Sequence, residues 1–201
     1  MVLAVTLVAG YLIVTEYVGG QPEYETYLPD WQELEYYSLN EESGNSPVTI
    51  LEFFDYQCSH CKNLHQKLNR IKQDYSKHLA VKAIPYPLNQ QGSGYEAAAT
   101  SICTNLQSDE TDAVHSSLFE LQEDFEEIET DHIITSAVSD HDEQSVRNCL
   151  QNGEYETYLQ KNIKAGEQLS LTRVPALIIN GELYFGALPD RRLSSIIEAH
   201  L

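Results

Sequence analysis

The sequence predicts an α/β domain whose sheet is assembled from two halves, a βαβ unit and a ββα unit, with an α-helical domain inserted between them. Three observations predict it. Two apolar, β-rich runs, "VTILEFF" at 48–54 and "LAVKAIPY" at 79–86, flank a stretch of helical periodicity. Two further runs, "PALIIN" at 175–180 and "ELYFGA" at 182–187, meet at Asn180-Gly181, the dipeptide that two-residue hairpins favour. Between the halves, over residues 92–168, the pattern is helical.

The elements follow in order. Residues 1–20 open with "MVLAVTLVAGYLIV", apolar without a break before Glu16. That run is shorter than a membrane span of about 17–25 residues. It has the length of the apolar region of a signal peptide, about 7–15 residues. The positive charges that normally precede such a region are absent, and Val18-Gly19-Gly20 offers small residues for cleavage. The segment is read as a signal peptide or an N-terminal membrane anchor, with a buried strand of the domain as the other reading. Either export signal places the chain in a periplasmic or other extracytoplasmic compartment that tolerates disulfides.

Residues 21–46 carry seven acids and no Lys or Arg, and end in the turn-rich "EESGNSP". They read as an acidic linker, in which the weak alternation of "LEYYSL" suggests an edge strand. The folded first half runs over 47–91. After the first strand, Leu64, Leu68, Ile71 and Tyr75 recur at helical spacing, and the second strand stops at Pro85 and Pro87. Strand, helix and strand in this order imply a parallel crossover. In the insertion, 92–168, "GYEAAATSICTNL" offers an Ala-rich face, and "AVHSSLFEL", "DHIITSAVS" and "SVRNCLQ" read as short amphipathic helices. The second half, 169–201, closes with a helix in "PDRRLSSIIEAHL", with Pro189 near its start.

Charge excludes some functions. The chain has 12 Lys plus Arg against 31 Asp plus Glu, a formal charge of −19. Such a surface repels nucleic acid and anionic lipid.

The chemistry concentrates in "FFDYQCSHCKNLH". A zinc site needs four ligands, usually with a second close pair, yet Cys103 and Cys149 stand 46 residues apart. An inert disulfide staple is the other bland reading of Cys58 and Cys61. The setting favours redox chemistry, because Cys58 lies where a buried strand hands over to a helix N-terminus. Free backbone N–H groups and the helix dipole stabilise a thiolate there. Such thiols reach pKa values of about 3.5–7.5. His60, if protonated, adds positive charge near that sulfur, and Cys61, one turn further in, is the resolving thiol. An even cysteine count in an exported chain suggests bridges, and Cys103 and Cys149 can close a long loop. Glu52, in the first apolar strand, shares a face with Phe54; if it is buried rather than exposed at an edge, its pKa rises. Lys82 in the next strand is a possible partner for it. The remaining histidines, His65, His78, His115, His132, His141 and His200, show no ligand-like spacing and read mostly as surface residues.

Taken together, "ILEFFDYQCSHC" and "RVPALIINGELY", about 115 residues apart, resemble the active-site strand and cis-proline loop of the thioredoxin superfamily. The helical insert resembles that of the DsbA-like thiol:disulfide oxidoreductases in particular. The resemblance covers residues 47–201. It implies a thioredoxin fold, Cys58 as nucleophile and Cys61 as its buried partner. Ser59 and His60 match the dipeptide that tunes the potential, with Ser in place of the family's usual Pro. Pro175 matches the cis-proline and Val174 the residue before it, both facing a substrate peptide. Glu52 matches the buried acid that moves the proton of the resolving thiol. Cys103 and Cys149 resemble a second, structural bridge in the insert, with a redox-tuning role or two free thiols as the other readings.

The implied function is a monomeric oxidase that introduces disulfides into reduced exported proteins, without cofactor or metal. A quinone-linked membrane partner of the DsbB or vitamin K epoxide reductase type would reoxidise it. An isomerase or reductase of the DsbC or DsbG kind is the runner-up. A non-catalytic tethered peptide-binding or chaperone protein is the reading from a different class.

Overall fold

In the computed structural model, which describes residues 2–8, 11–17, 24–39, 46–124, 134 and 138–201, strands β1 (Val2–Val8) and β2 (Tyr11–Tyr17) pair antiparallel in a sheet of their own. No helix among the described residues is long and apolar enough to cross a membrane.

The main sheet has five strands in the order β3-β7-β6-β4-β5. These are β3 (Thr26–Tyr27), β4 (Val48–Phe54), β5 (Leu79–Pro85), β6 (Ala176–Ile179) and β7 (Glu182–Phe185). Every residue of β4 is buried, Thr49 and Glu52 among them. It runs parallel to β5 and antiparallel to β6. The parallel pair is joined by α1 (Ser59–Asp74), which makes the crossover. β6 and β7 are joined at Asn180-Gly181, where both residues have positive φ, 45° and 94°, as a type I′ hairpin turn demands.

One face of the sheet, through Val48, Ile50, Leu177, Ile179 and Tyr184, packs on Leu64, Leu68 and Ile71 of α1. The same face meets Leu193, Ile196 and Ile197 of a C-terminal helix, Asp190–Ala199. The other face, through Leu51, Phe53, Ile178 and Leu183, meets the insert. The insert contains α2 (Ser93–Gln107), α3 (Thr111–Glu120), α4 (Asp140–Asn152) and α5 (Glu156–Gln168); the C-terminal helix is α6. Each fully buried Leu, Ile or Phe contributes about 1.5–3 kcal/mol, so both faces are needed to hold the sheet. The expected helix in "DHIITSAVS" lies largely outside the described residues, of which Ile134 and Val138 are buried.

Three expectations are corrected. "LEYYSL" is not an edge strand, because residues Trp31–Tyr37 form a 3-10 helix. The edge strand is β3, paired with β7. Nor is this stretch only a linker, since Leu28, Trp31, Leu34 and Tyr37 pack against the core and the Leu39 amide donates to the Ala83 carbonyl at 2.8 Å. The aromatic side chains anchor a segment whose acids alone suggested a tether. Finally, Lys82 does not partner Glu52. In the β4–β5 register Lys82 lies opposite Leu51, on the other face of the sheet, and pairs with Glu35 at 2.7 Å.

Candidate active site

Cys58 is the N-cap of α1. Its backbone is extended, with φ −87° and ψ 110°, and its sulfur accepts the Cys61 amide at 3.3 Å. Capping by a sulfur at this position turns the free N–H groups of a helix start toward a thiolate. Cys58 is half-buried and Cys61 fully buried, and both are reduced. The Cys58 thiol is pulled down to about 6, first by the Cys61 thiol donating to its sulfur and then by the Cys61 and His60 backbone N–H groups. Burial and the Asp55 charge oppose that pull. Burial, with the proton shared toward Cys58, raises Cys61 far above the ordinary thiol range. The reduced pair therefore carries its negative charge on the accessible sulfur and its proton on the hidden one. His60 is exposed, and its backbone N–H is among the groups that lower the Cys58 thiol. Ser59 is exposed beside it.

The start of β6 closes the site. The Val174–Pro175 peptide bond is cis, and the Val174 carbonyl lies 3.7 Å from the Cys58 sulfur. Pro175 is buried and Val174 half-buried. Tertiary structure thus brings together two motifs about 115 residues apart in sequence.

Below the thiols lies Glu52, only 1% exposed, with Oε1 unpartnered among the described residues. Burial, reinforced by the Cys58 charge, raises its carboxyl to about 8. It lines a cavity of about 100 Å³ with Val81 and Ala83 of β5, His65, Asn69 and Lys72 of α1, and Asp112, His115 and Ser116 of α3.

Two of the histidines read as surface residues are core residues instead. His65 and His115 are 8% and 7% exposed and pack edge to face at 4.6 Å between ring centroids. Burial lowers His65 to about 4 and His115 well below the ordinary range. His115 Nδ1 meets the Tyr56 hydroxyl at 2.6 Å, and Phe54, Tyr56 and Phe119 complete an aromatic cluster under the active-site turn. His115 follows a helical apolar pattern with Val114, Leu118 and Phe119, the one signal that pointed inward.

Sequence reasoning also passed over Asp55. Its Oδ1 accepts the Gln57 amide at 2.8 Å, the side-chain turn that an Asp two residues upstream makes. In the insert, Cys103 and Cys149 form a disulfide between α2 and α4. Among the described residues no group of three His, Cys, Asp or Glu side chains is placed to hold a metal.

The chain matches the family model described as Thioredoxin over residues 43–199, and it belongs to that family. Within it, the fold with its helical insert is that of the DsbA-like thiol:disulfide oxidoreductases. BdbD from Bacillus subtilis shares it with a TM-score of 0.71 at 16% identity, over 89% of this chain and 98% of that one. The thiol-disulfide exchange protein alpha-DsbA2 from Wolbachia pipientis gives 0.67 at 19%, over 84% and 92%. A periplasmic thioredoxin-like protein from Salmonella enterica serovar Typhimurium gives 0.60 at 21%, over 83% and 95%. No curated protein matches the chain.

Proposed function

We propose that the chain is a thiol:disulfide oxidoreductase that donates its Cys58–Cys61 disulfide to reduced exported proteins. The observation that carries this reading is the asymmetry of the two thiols, one accessible and pulled down to about 6, the other buried and held protonated. A pair whose reduced form is stabilised by a thiolate is an oxidant.

In the proposed cycle a substrate thiolate attacks the Cys58 sulfur of the enzyme disulfide. The Cys58–Cys61 bond breaks, and Cys61 leaves with the bonding electrons and takes a proton. Glu52, raised to about 8 by burial and close enough for its charge to act on Cys61, is the group proposed to supply it. A second substrate thiolate then attacks the substrate sulfur, and Cys58 departs as its stabilised thiolate. Two substrate thiols become a disulfide while the enzyme disulfide becomes a dithiol, so the electrons balance. The turn at Val174 and Pro175, just before β6, offers a substrate peptide backbone groups to pair with, beside the reacting sulfur. Cys103–Cys149 is assigned a structural role, since it staples two helices of the insert. An extracytoplasmic location, an N-terminal anchor, a monomeric state and reoxidation by a quinone-linked membrane partner of the DsbB or vitamin K epoxide reductase type belong to the same reading.

The test is the equilibrium of the Cys58–Cys61 pair against a glutathione redox buffer, with Cys103 and Cys149 quantified separately. A pair far more oxidising than glutathione, with its thiolate present at mildly acidic pH, is the expected result. A pair more reducing than glutathione would redirect the assignment to a reductase or isomerase. Peptide binding that survives Cys58→Ser, with no disulfide transfer by the native chain, would make it a binder.

A further inference from the structure

Asp55 follows β4, three residues before Cys58, and is 6% exposed. Both its carboxylate oxygens accept backbone N–H groups, Oδ1 from Gln57 at 2.8 Å and Oδ2 from Leu88 at 2.9 Å. Its own carbonyl accepts the Cys58 amide at 3.0 Å. The same knot reaches the first turn of α2, where Gln57 Nε2 donates to Ser93 Oγ at 2.9 Å. There Gly94 passes so close that a Cβ would stand 2.7 Å from Asp55 Oδ1 and 3.0 Å from Gln57 Oε1. One side chain therefore ties together the turn that presents Cys58, the connection after β5 and the start of the helical insert.

The hydrogen bonds need acceptors but not a charge. Serine or asparagine caps the Gln57 turn with one neutral oxygen, and only the bond from the Leu88 amide uses the second oxygen of the carboxylate. A buried carboxylate this near the nucleophile instead works against a second negative charge on Cys58. Among the described residues no Lys, Arg or His forms an ion pair with Asp55 that would cancel its charge.

We propose that Asp55 is a positioning residue of the redox site, clamping the Cys58 turn to the helical insert while its charge holds the pair less oxidising than the turn geometry alone would make it. The inference rests on the oxidoreductase reading. The groups whose charges act on the two thiols are Cys58, Cys61, Glu52 and Asp55, so a change at Asp55 is read against the other three left intact.

The test uses the full chain carrying Asp55→Asn, which keeps an oxygen for the Gln57 amide, gives up the oxygen that accepts from Leu88, and removes the charge. Thiolate absorbance against pH, and the glutathione equilibrium, are compared with the native chain. The expected result is a thiolate that forms at lower pH and a pair more oxidising by about threefold or more, half a pKa unit or so of charge relief. A purely structural clamp predicts the opposite sign, because a loosened turn weakens the N–H donors to the Cys58 sulfur and moves the titration upward. An unchanged or raised titration overturns the proposal. Asp55→Ser, also neutral and able to cap the turn, is the second variant should Asp55→Asn not fold. If neither folds, the clamp is structural only and the tuning role is overturned. The outcome is a difference between variant and native chain, measurable whichever way electrons flow. A native pair more reducing than glutathione would therefore sink the oxidase reading without touching this one.

Discussion

At the scale of single residues, the site is an arrangement of where one negative charge is allowed to sit. Cys58 can hold it because helix N–H groups and the Cys61 thiol face its sulfur. Glu52 cannot hold it easily, because its Oε1 has no partner among the described residues and the side chain is buried. The consequence for stability has a definite sign. The folded chain keeps the Glu52 proton up to about pH 8, while an unfolded one releases it near 4.5. The stability that goes with the protonated carboxyl is complete below 4.5 and is lost as pH rises through 8. Glu52→Gln is neutral throughout, so its advantage over the native chain grows across that window, to at most about 5 kcal/mol. Urea unfolding of both chains at pH 4.5 and pH 9 measures it. An advantage that is equal at the two pH values would mean that Glu52 is ionised in the fold. The same variant should slow disulfide transfer, since the proposed cycle takes the Cys61 proton from Glu52. Of these residues, the cysteines and the proline were legible in sequence because their spacing is unusual. His65, His115 and Asp55 were not, because their roles depend on what α3 and α2 place against them.

At the scale of elements, the helices of the insert are fitted to the sheet by close approaches that leave no room for a side chain. Gly166 of α5 is one. A Cβ there would stand 2.7 Å from Tyr86 Cδ2 and nearer still to the next ring atom. Tyr86 cannot move freely, because its hydroxyl donates to the Leu171 carbonyl at 3.1 Å and its amide to the Phe54 carbonyl at 2.7 Å. On an open helix, Gly to Ala gains about 1 kcal/mol. Here overpacking, typically about 1–3 kcal/mol, outweighs that gain, so Gly166→Ala should destabilise. A thermal midpoint at or above the native value would show that α5 can shift away from β5. Periodicity identified the helices but not this fit. An amphipathic pattern says which face is buried, not how near the partner comes.

At the scale of the whole molecule, the disulfide between α2 and α4 spans 46 residues. It closes the insert on itself, joining two of its helices. On the chain-entropy model a loop of this length contributes about 4 kcal/mol. Replacing Cys103 and Cys149 by Ala should lower stability by that order while leaving the Cys58 thiolate titration in place. A titration that moved with the bridge would make it a tuning element of the redox pair, since α2 also abuts Asp55 through Gly94. The Cys103–Cys149 pairing was expected from the resemblance, and the structure forms it. Four cysteines allow three pairings, and the packing of α2 on α4 supplies the geometry for the one expected.

What the sequence determined by itself was everything set by local order. It includes the buried run of β4, the thiol pair at a helix start, the hairpin at Asn180-Gly181 and the βαβ and ββα halves around a helical insert. These depend on periodicity and on backbone preferences within a few residues. What only the tertiary structure decided depends on contacts between distant segments. The β4–β5 register put Lys82 on the face away from Glu52, and aromatic anchoring turned an acidic stretch into part of the fold. α3 buried two histidines beside the active-site turn. Register and packing partner are properties of the closed sheet and its helices, and no local pattern encodes them.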